Sequence, residues 1–361
     1  MRLFQNSGTY PAYLARLNAL AAGENTFAGR RAVFLADRYG ACHILKPVHD
    51  ADPAAFYTNG DDATLQRLWA NEQGMPADAT PADILRAQIE SHRTEVFYNT
   101  DPVRYGSDFL RTLPSSVKRT VCWRAAPSKG TDLSGYDRVV NNFPSILAAY
   151  RDEGLDARPF FPAHDPVLDG EAARTERPID VLFVGGYSRH HRRRAQIMAE
   201  VAALNCQHVV RMCLQRSRLT RLAESPLGRL LPLGEHRRPR EIRAVSAEPV
   251  FGRELHALMG QAKIVLNGAI DMANNDRGNI RCFESLGAGC AMVSDSGDYP
   301  AHFVDGQTHV TYDDAADAVC QIVALLAEPQ RLQQVAAAGH AMLAQEYSPE
   351  RQWQAFTELS H

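Results

Sequence analysis

The sequence predicts an α/β protein made of two Rossmann-like, doubly wound domains. Three observations carry this. Short apolar runs alternate with stretches of helical spacing, the pattern of parallel strands joined by helical crossovers. A charged break with two prolines at 164–178 separates two such series. The stretch 274–295 (NNDRGNIRCFESLGAGCAMVSD) holds most of one crossover unit: a strand at 263–267 comes before it, Gly278-Asn279 open a helix, Gly287-Ala288-Gly289 stop it, and 291–294 form the next strand. With 361 residues and 45% hydrophobic content the chain can build two cores. The expected domains are 1–170 and 171–347, with a helix at 348–361 that crosses back to the first.

The elements follow in order. Residues 2–5 read as the first strand. Asn6-Ser7-Gly8 turn the chain into a helix over 10–22, where Tyr13, Leu14, Leu17 and Leu20 keep helical spacing. Gly8 either lets backbone approach a ligand or simply makes the turn. Residues 33–36 and 42–45 read as two short strands, placing Asp37 and His49 in the loops that follow. The polar stretch 52–82 reads as helix plus loop. A helix at 82–92 leads to a strand at 94–99, with Asp101 at its carboxyl end. A helix at 107–113, strands at 119–124 and 136–141, a helix stopped by Gly154 and a strand at 157–161 complete the first series. The second opens with a strand at 180–184, then Gly185-Gly186 and a helix that begins within 189–194, RHHRRR. A strand at 208–214 and a helix at 254–259 lead into the central crossover. A strand within 303–311, a helix at 315–326 and a last helix at 348–359, capped by Ser348 with Pro349 first, end the chain.

Two acids stand out. Glu284 lies on the crossover helix and Asp276 eight positions earlier in the loop. A carboxylate offers two acceptor oxygens and can take both protons of a vicinal diol, the group ribose and hexoses present. The helix start near Gly278 and the Gly185-Gly186 pair offer backbone N–H groups to phosphate, and the arginines of 189–194 offer countercharge. Against this stand plainer readings: a solvated helix acid, an ordinary helix stop and an exposed basic helix start. The glycine pair is not a dinucleotide fingerprint, since its third glycine is missing.

The run 281–295, R-x-x-E-S-L-G-A-G-C-A-M-V-S-D, resembles the C-terminal motif of group 1 glycosyltransferases of the GT-B fold: an acid, seven residues, then E-A-x-A-x-G-x-P-V. The resemblance implies two domains facing a cleft, with Glu284 on the donor ribose. It puts Asp276 where the family's first glutamate meets the transferred sugar, here with the shorter Asp, and Ala291-Met292 replace Pro-Val. It further implies Gly185, Gly186, Arg189 and Arg193 for the diphosphate, and Phe251 and Gly252 for the base. Gly278 and Asn279 would form the phosphate-facing helix tip. His190 and His191 are further phosphate partners or merely exposed. Arg281 shares a helix face with Glu284 and would pair with it or touch phosphate. The wording Asn-Ile-Arg-Cys-Phe-Glu is most similar to the CgeB-like branch.

The expected function is transfer of a sugar from a nucleotide-diphosphate sugar to a glycan, lipid-linked or protein acceptor. No metal or other cofactor is expected, because no Asp-x-Asp pair is suitably placed. The acid pair resembles the retaining branch; an inverting enzyme would need a base, for which Asp101, His49 and Asp37 are candidates. A sugar-nucleotide epimerase and a non-catalytic glycan- or nucleotide-binding module are the alternatives. A pyridoxal-dependent phosphorylase is disfavoured, since Lys263 is the only lysine of the second domain and poorly placed. A net charge of −3 gives no reason to expect nucleic acid. Only four of the 39 basic residues are lysine, and arginine forks suit phosphate. Nine arginines crowd into 211–243 against three acids, interleaved with leucines. That segment suggests either contact with an anionic membrane or a solvated insertion. Seven scattered cysteines without a Cys-x-x-Cys pair, no signal-length apolar segment and no spanning run suggest a cytoplasmic protein, either free or held peripherally at the inner membrane face.

Overall fold

The structure, a computed structural model, describes residues 1–128, 130–187, 191–268 and 273–361. Contacts divide the chain into two compact units. The first takes Met1–Ala163, residues 273–276 and Tyr347–His361. The described residues of the second fall within His164–Asp271 and Arg277–Glu346.

The first unit runs β1 (Leu3–Asn6), α1 (Pro11–Leu20), α2 (Phe27–Asp37), α3 (Lys46–His49), β2 (Ala55–Thr58), α4 (Ala63–Glu72), α5 (Pro81–Ser91), β3 (Val96–Asn99), α6 (Ser107–Leu110), β4 (Arg119–Trp123), β5 (Arg138–Asn141), α7 (Pro144–Asp152) and β6 (Ala157–Pro159). The second runs α8 (Asp169–Ala172), β7 (Ile179–Gly186), α9 (Arg192–Ala203), β8 (Val210–Gln215), α10 (Arg218–Glu224), α11 (Arg240–Val245), β9 (Ser246–Ala247), α12 (Gly252–Gly260), β10 (Ala262–Leu266), α13 (Ile280–Gly287), β11 (Ala291–Asp295), β12 (Val310–Tyr312), α14 (Ala315–Ala327) and α15 (Pro329–Glu346). The last helix, α16 (Pro349–Leu359), belongs to the first unit, and Ser348 caps it by accepting from the Arg351 N–H.

Each unit has one six-stranded, all-parallel sheet. The first is ordered β2-β1-β3-β4-β5-β6. The second is ordered β12-β11-β10-β7-β8-β9, the doubly wound dinucleotide-fold order. Both are covered on two faces, as parallel sheets require. In β7, Val181 and Phe183 enter one apolar cluster with Met212, Ile264 and Val293. The intervening Leu182 enters the other, with Val265 and Met259. That alternation is the two-residue strand period.

Strand order reverses at one place in each sheet, between β1 and β3 and between β7 and β10. Loops leaving the carboxyl ends of such a pair diverge to opposite faces and leave a crevice there.

Several sequence expectations are corrected. Residues 33–36 lie in α2 and 42–45 in a tight turn and the chain entering α3, so neither is a strand. Phe27, Arg30, Phe34 and Asp37 are the buried face of α2, a helical period that the local run VFLA hides. The true second strand, β2, is four residues inside the stretch read as helix and loop. The strand expected within 303–311 is only Val310–Tyr312.

Candidate functional site

The crevice of the second unit is built by the ends of β7, β10 and β11. After β10, Asn267 takes its N–H to the Val293 carbonyl and its Nδ2 to Ser294 Oγ, 3.1 Å away. Its own carbonyl accepts from Tyr312 Oη at 2.7 Å. Asn267 Oδ1 then accepts from Asn279 Nδ2 at 3.2 Å, tying the start of α13 to the strand ends. Gly278 sits at φ +116, which favours glycine. Asn279 caps α13 with its own side chain, accepting from the Arg281 N–H, so one of the helix-tip donors is already engaged.

Glu284 lies one turn further on and is buried. Arg281 Nη1 donates to Glu284 Oε2 at 2.5 Å, so the pairing alternative for Arg281 is the one found. Only Oε2 is engaged by that bond, so the carboxylate keeps acceptor capacity for a diol.

The phosphate side differs from expectation. Arg189 and His190 lie outside the described residues. His191 is the residue before α9. Arg193 is exposed and donates to the Asp313 carbonyl at 2.6 Å. Arg194 is the arginine beside Gly185: a Cβ on Gly185 would stand 2.8 Å from its Nη2. The Arg194 guanidinium lies over the Phe183 ring, 5.2 Å from the centroid, and its Nε is buried with no hydrogen-bond partner. Burial lowers the Arg194 pKa, and the charge of Asp295 opposes that shift. Gly186 has open space around it. Asp295, at the end of β11, also pairs at 2.8 Å with Arg277, both buried. Sequence reading missed Arg194, though its signal was present. It stands three, four and seven positions before the buried Ile197, Met198 and Val201, on the inward helix face, whereas Arg193 does not. Phe251 and Gly252 sit at the start of α12, with Gly252 at φ +56. Lys263 pairs with Asp180 at 2.6 Å.

Asp276 groups with the first unit. Its Oδ2 accepts from the Ser145 N–H at 2.7 Å and the Ser145 hydroxyl at 2.6 Å, at the start of α7. It therefore caps that helix and meets its positive end. The crevice of the first unit holds Asp101. Gly8 lies against it, with a Cβ there 3.3 Å from the carboxylate, and Arg104 pairs with it at 3.1 Å. Nearby Asp61, which the sequence reading missed, accepts from the Thr9 N–H and hydroxyl. Burial raises its pKa, and the charge of Asp101 adds to that rise. Below them Asn6, Asn99, Tyr105 and Tyr136 form a buried network that fixes the strand ends. Asp37 ends α2 in a two-bonded pair with Arg16, and His49 ends α3 beside Arg38, so neither follows a strand.

The arginine-rich segment forms α10, α11 and the turns between. Arg238 and Glu224 make a buried two-bonded pair at 2.8 Å. Arg237 donates to the carbonyls of Ala223, Gly228 and Leu231. Leu219, Leu222, Leu227, Leu230 and Leu231 are exposed, Leu230 by 85%. No helix among the described residues is long and apolar enough to cross a membrane.

Comparison with known proteins agrees with this architecture. Residues 207–358 match a family model described as glycosyl transferase-like. None of the curated proteins compared matches the sequence. Among solved structures, the Anabaena protein Alr3699/HepE in complex with UDP-glucose has a TM-score of 0.59 at 11% identity, over 99% of this chain and 98% of that one. Sucrose-phosphate synthase from Thermosynechococcus elongatus has a TM-score of 0.52 at 13% identity, over 99% and 98%. An α-glucosyltransferase in complex with UDP-glucose and DNA containing an abasic site has a TM-score of 0.59 at 12% identity, again over 99% and 98%. With its two parallel six-stranded sheets, the chain has the GT-B fold of glycosyltransferases.

Proposed function

We propose that this protein is a glycosyltransferase that moves a sugar from a nucleotide-diphosphate sugar to a glycan, lipid-linked or protein acceptor. The observation that supports the reading is the crevice of the second unit: α13, which carries Glu284, follows β10, and Gly185, with Arg194 against it, lies at the end of the neighbouring β7. In this reading Glu284 accepts the ribose hydroxyl protons. Arg194, Gly185 and Gly186 hold the diphosphate, and with the α13 tip at Gly278-Asn279 they stabilise the charge that grows on it as the glycosidic bond breaks. Phe251 and Gly252 meet the base. That electrostatic seat does the work a metal would otherwise do. Since solved neighbours hold UDP and UDP-glucose, uridine nucleotides are the first donors to test. The finer assignment to the CgeB-like branch rests on the Asn279–Glu284 wording, and the retaining outcome on the acid pair's resemblance. Product anomeric coupling tests that outcome. Asp101, with Asp61 beside it, is the acceptor-side acid.

Glu284→Gln keeps the shape and a partner for Arg281 but removes the charge. It is expected to raise the donor KM about 10- to 100-fold, the equivalent of ~1.5–3 kcal/mol for a charged hydrogen bond. Unchanged KM and kcat with every nucleotide sugar that stabilises the protein would remove Glu284 from the site.

The exposed leucines of 219–231 favour an anionic lipid surface as a second partner, since arginines flank them. Leu227→Ser/Leu230→Ser is expected to reduce co-sedimentation with phosphatidylglycerol vesicles severalfold and leave fold and donor binding intact. Equal sedimentation of wild type and variant would sink this reading.

A further inference from the structure

His164 opens the second unit, Asp169 opens α8 and His340 lies on α15. His164 Nε2 is 2.7 Å from Asp169 Oδ1, and His340 Nε2 is 3.6 Å from that same oxygen. One ligand atom from each residue lies within 4.8 Å of the other two. The chemistry of the cluster is set from behind. His340 Nδ1 is 3.0 Å from the Gly287 carbonyl. A carbonyl only accepts, so Nδ1 carries a proton, and Nε2 is the ring nitrogen turned towards the Asp169 carboxylate. His340 Nε2 and the Asp169 oxygen stand 3.6 Å apart with the His164 ring nitrogen beside them, an arrangement that can share one cation. His164 Nδ1 is buried without a hydrogen-bond partner and packs on Gly287, where a Cβ would stand 3.3 Å away. Nε2 is therefore the polar outlet of that ring.

We propose that His164, Asp169 and His340 bind a divalent cation of the zinc class, which clamps the entry of the second unit and α15 onto the carboxyl end of α13. Two imidazoles and a carboxylate suit such an ion, and ligands at ~2.0–2.2 Å in a tetrahedron stand about 3.4 Å apart. The distances of 2.7 and 3.6 Å lie on either side of that spacing. The Nδ1 bond of His340 to a backbone carbonyl is the outer-shell contact that orients a metal-binding imidazole. Asp169 is half exposed and leaves the ion a path and a water position. The carboxyl end of α13 presents carbonyls, and the helix dipole there favours a cation. The cluster sits at the opposite end of α13 from Asn279. The ion is thus a clamp on the helix that carries Glu284, and the inference does not depend on the sugar-transfer reading.

The test uses the full chain, stripped with a chelator and titrated with Zn²⁺ by calorimetry, then with Co²⁺ by visible absorption. His340→Ala and Asp169→Asn change side chains that reach solvent, so both variants are expected to fold. His302→Ala removes an exposed histidine beside Glu346 and serves as control. Wild type and the control are expected to take up one ion with the intense visible bands of tetrahedral Co²⁺. The two site variants should bind at least tenfold more weakly. Chelation should lower the Tm of wild type and leave the site variants unmoved. Equal uptake in all four proteins would overturn the proposal. So would ¹⁵N spectra in which His340 is an imidazolium at neutral pH and does not respond to Zn²⁺, because a proton would then fill the gap.

Discussion

Arg193 and Arg194 are adjacent in sequence and differ in every physical respect that matters to an anion. Arg193 is exposed, and the Asp313 carbonyl already uses one of its donors. Arg194 spreads over Phe183, shielded from water, with an unused Nε and Gly185 against its tip. A partly desolvated guanidinium attracts phosphate more strongly than an exposed one, because solvent screens it less. Arg194→Ala is therefore expected to weaken UDP binding about tenfold or more, and Arg193→Ala less than threefold, as measured by calorimetry. Gly185→Ala should act like Arg194→Ala. Its new methyl meets the flexible end of that side chain at 2.8 Å and the Phe183 ring at 3.2 Å, so it displaces the guanidinium and binding falls. Stronger dependence on Arg193 would reassign the phosphate contact.

At the scale of elements, the N-terminus of α7 shows how a loop far along the chain can complete a helix. Ser145 lies within the first turn of α7, and Asp276, 131 positions later, accepts both its N–H and its hydroxyl. Asp276→Ala removes a charged cap and is expected to cost about 1–2 kcal/mol of stability by denaturant titration. A variant as stable as wild type but without transfer activity would show that the carboxylate serves substrate alone. This contact was not legible in the sequence, since nothing local to Ser145 announces its partner. What was legible is the repeating strand–loop–helix grammar of the second unit, because β7, β10 and β11 are continuous apolar runs bounded by glycine or polar residues. Glu284 and Arg281 were legible too, being three apart on one helix. The region of α2 and β2 was not, because VFLA suits a strand as well as a helix and AFYT is too short to show a period. Arg194 could be read only by asking which arginine lies over Ile197, Met198 and Val201 together.

At the scale of the whole molecule, the chain leaves its first unit at Ala163, touches it again at 273–276 and returns to it with Tyr347. The first unit is thus completed by residues 347–361. Phe356 of α16 is fully buried, with its ring 4.9 Å from Tyr98 on β3 and 5.8 Å from Phe160. Arg119 on β4 donates to the His361 carbonyl at 2.7 Å, and Arg138 on β5 donates to the Leu359 carbonyl. The helix therefore covers one face of the β3–β5 region, which its removal would open to water. Phe356→Ala leaves a cavity among aromatic rings and is expected to cost about 3–5 kcal/mol. That cost should fall on one unit. Hydrogen exchange read by mass spectrometry is expected to quicken in β1 and β3–β6 and to stay slow in β7, β10 and β11, since the rings that Phe356 packs against, Tyr98, Phe160 and Trp353, belong to the first unit. Deleting residues 348–361 should have the same pattern and a larger amplitude. Equal acceleration in both sheets would mean that the two units unfold as one cooperative body, and protection unchanged in β3 would mean that α16 contributes nothing to the sheet it covers.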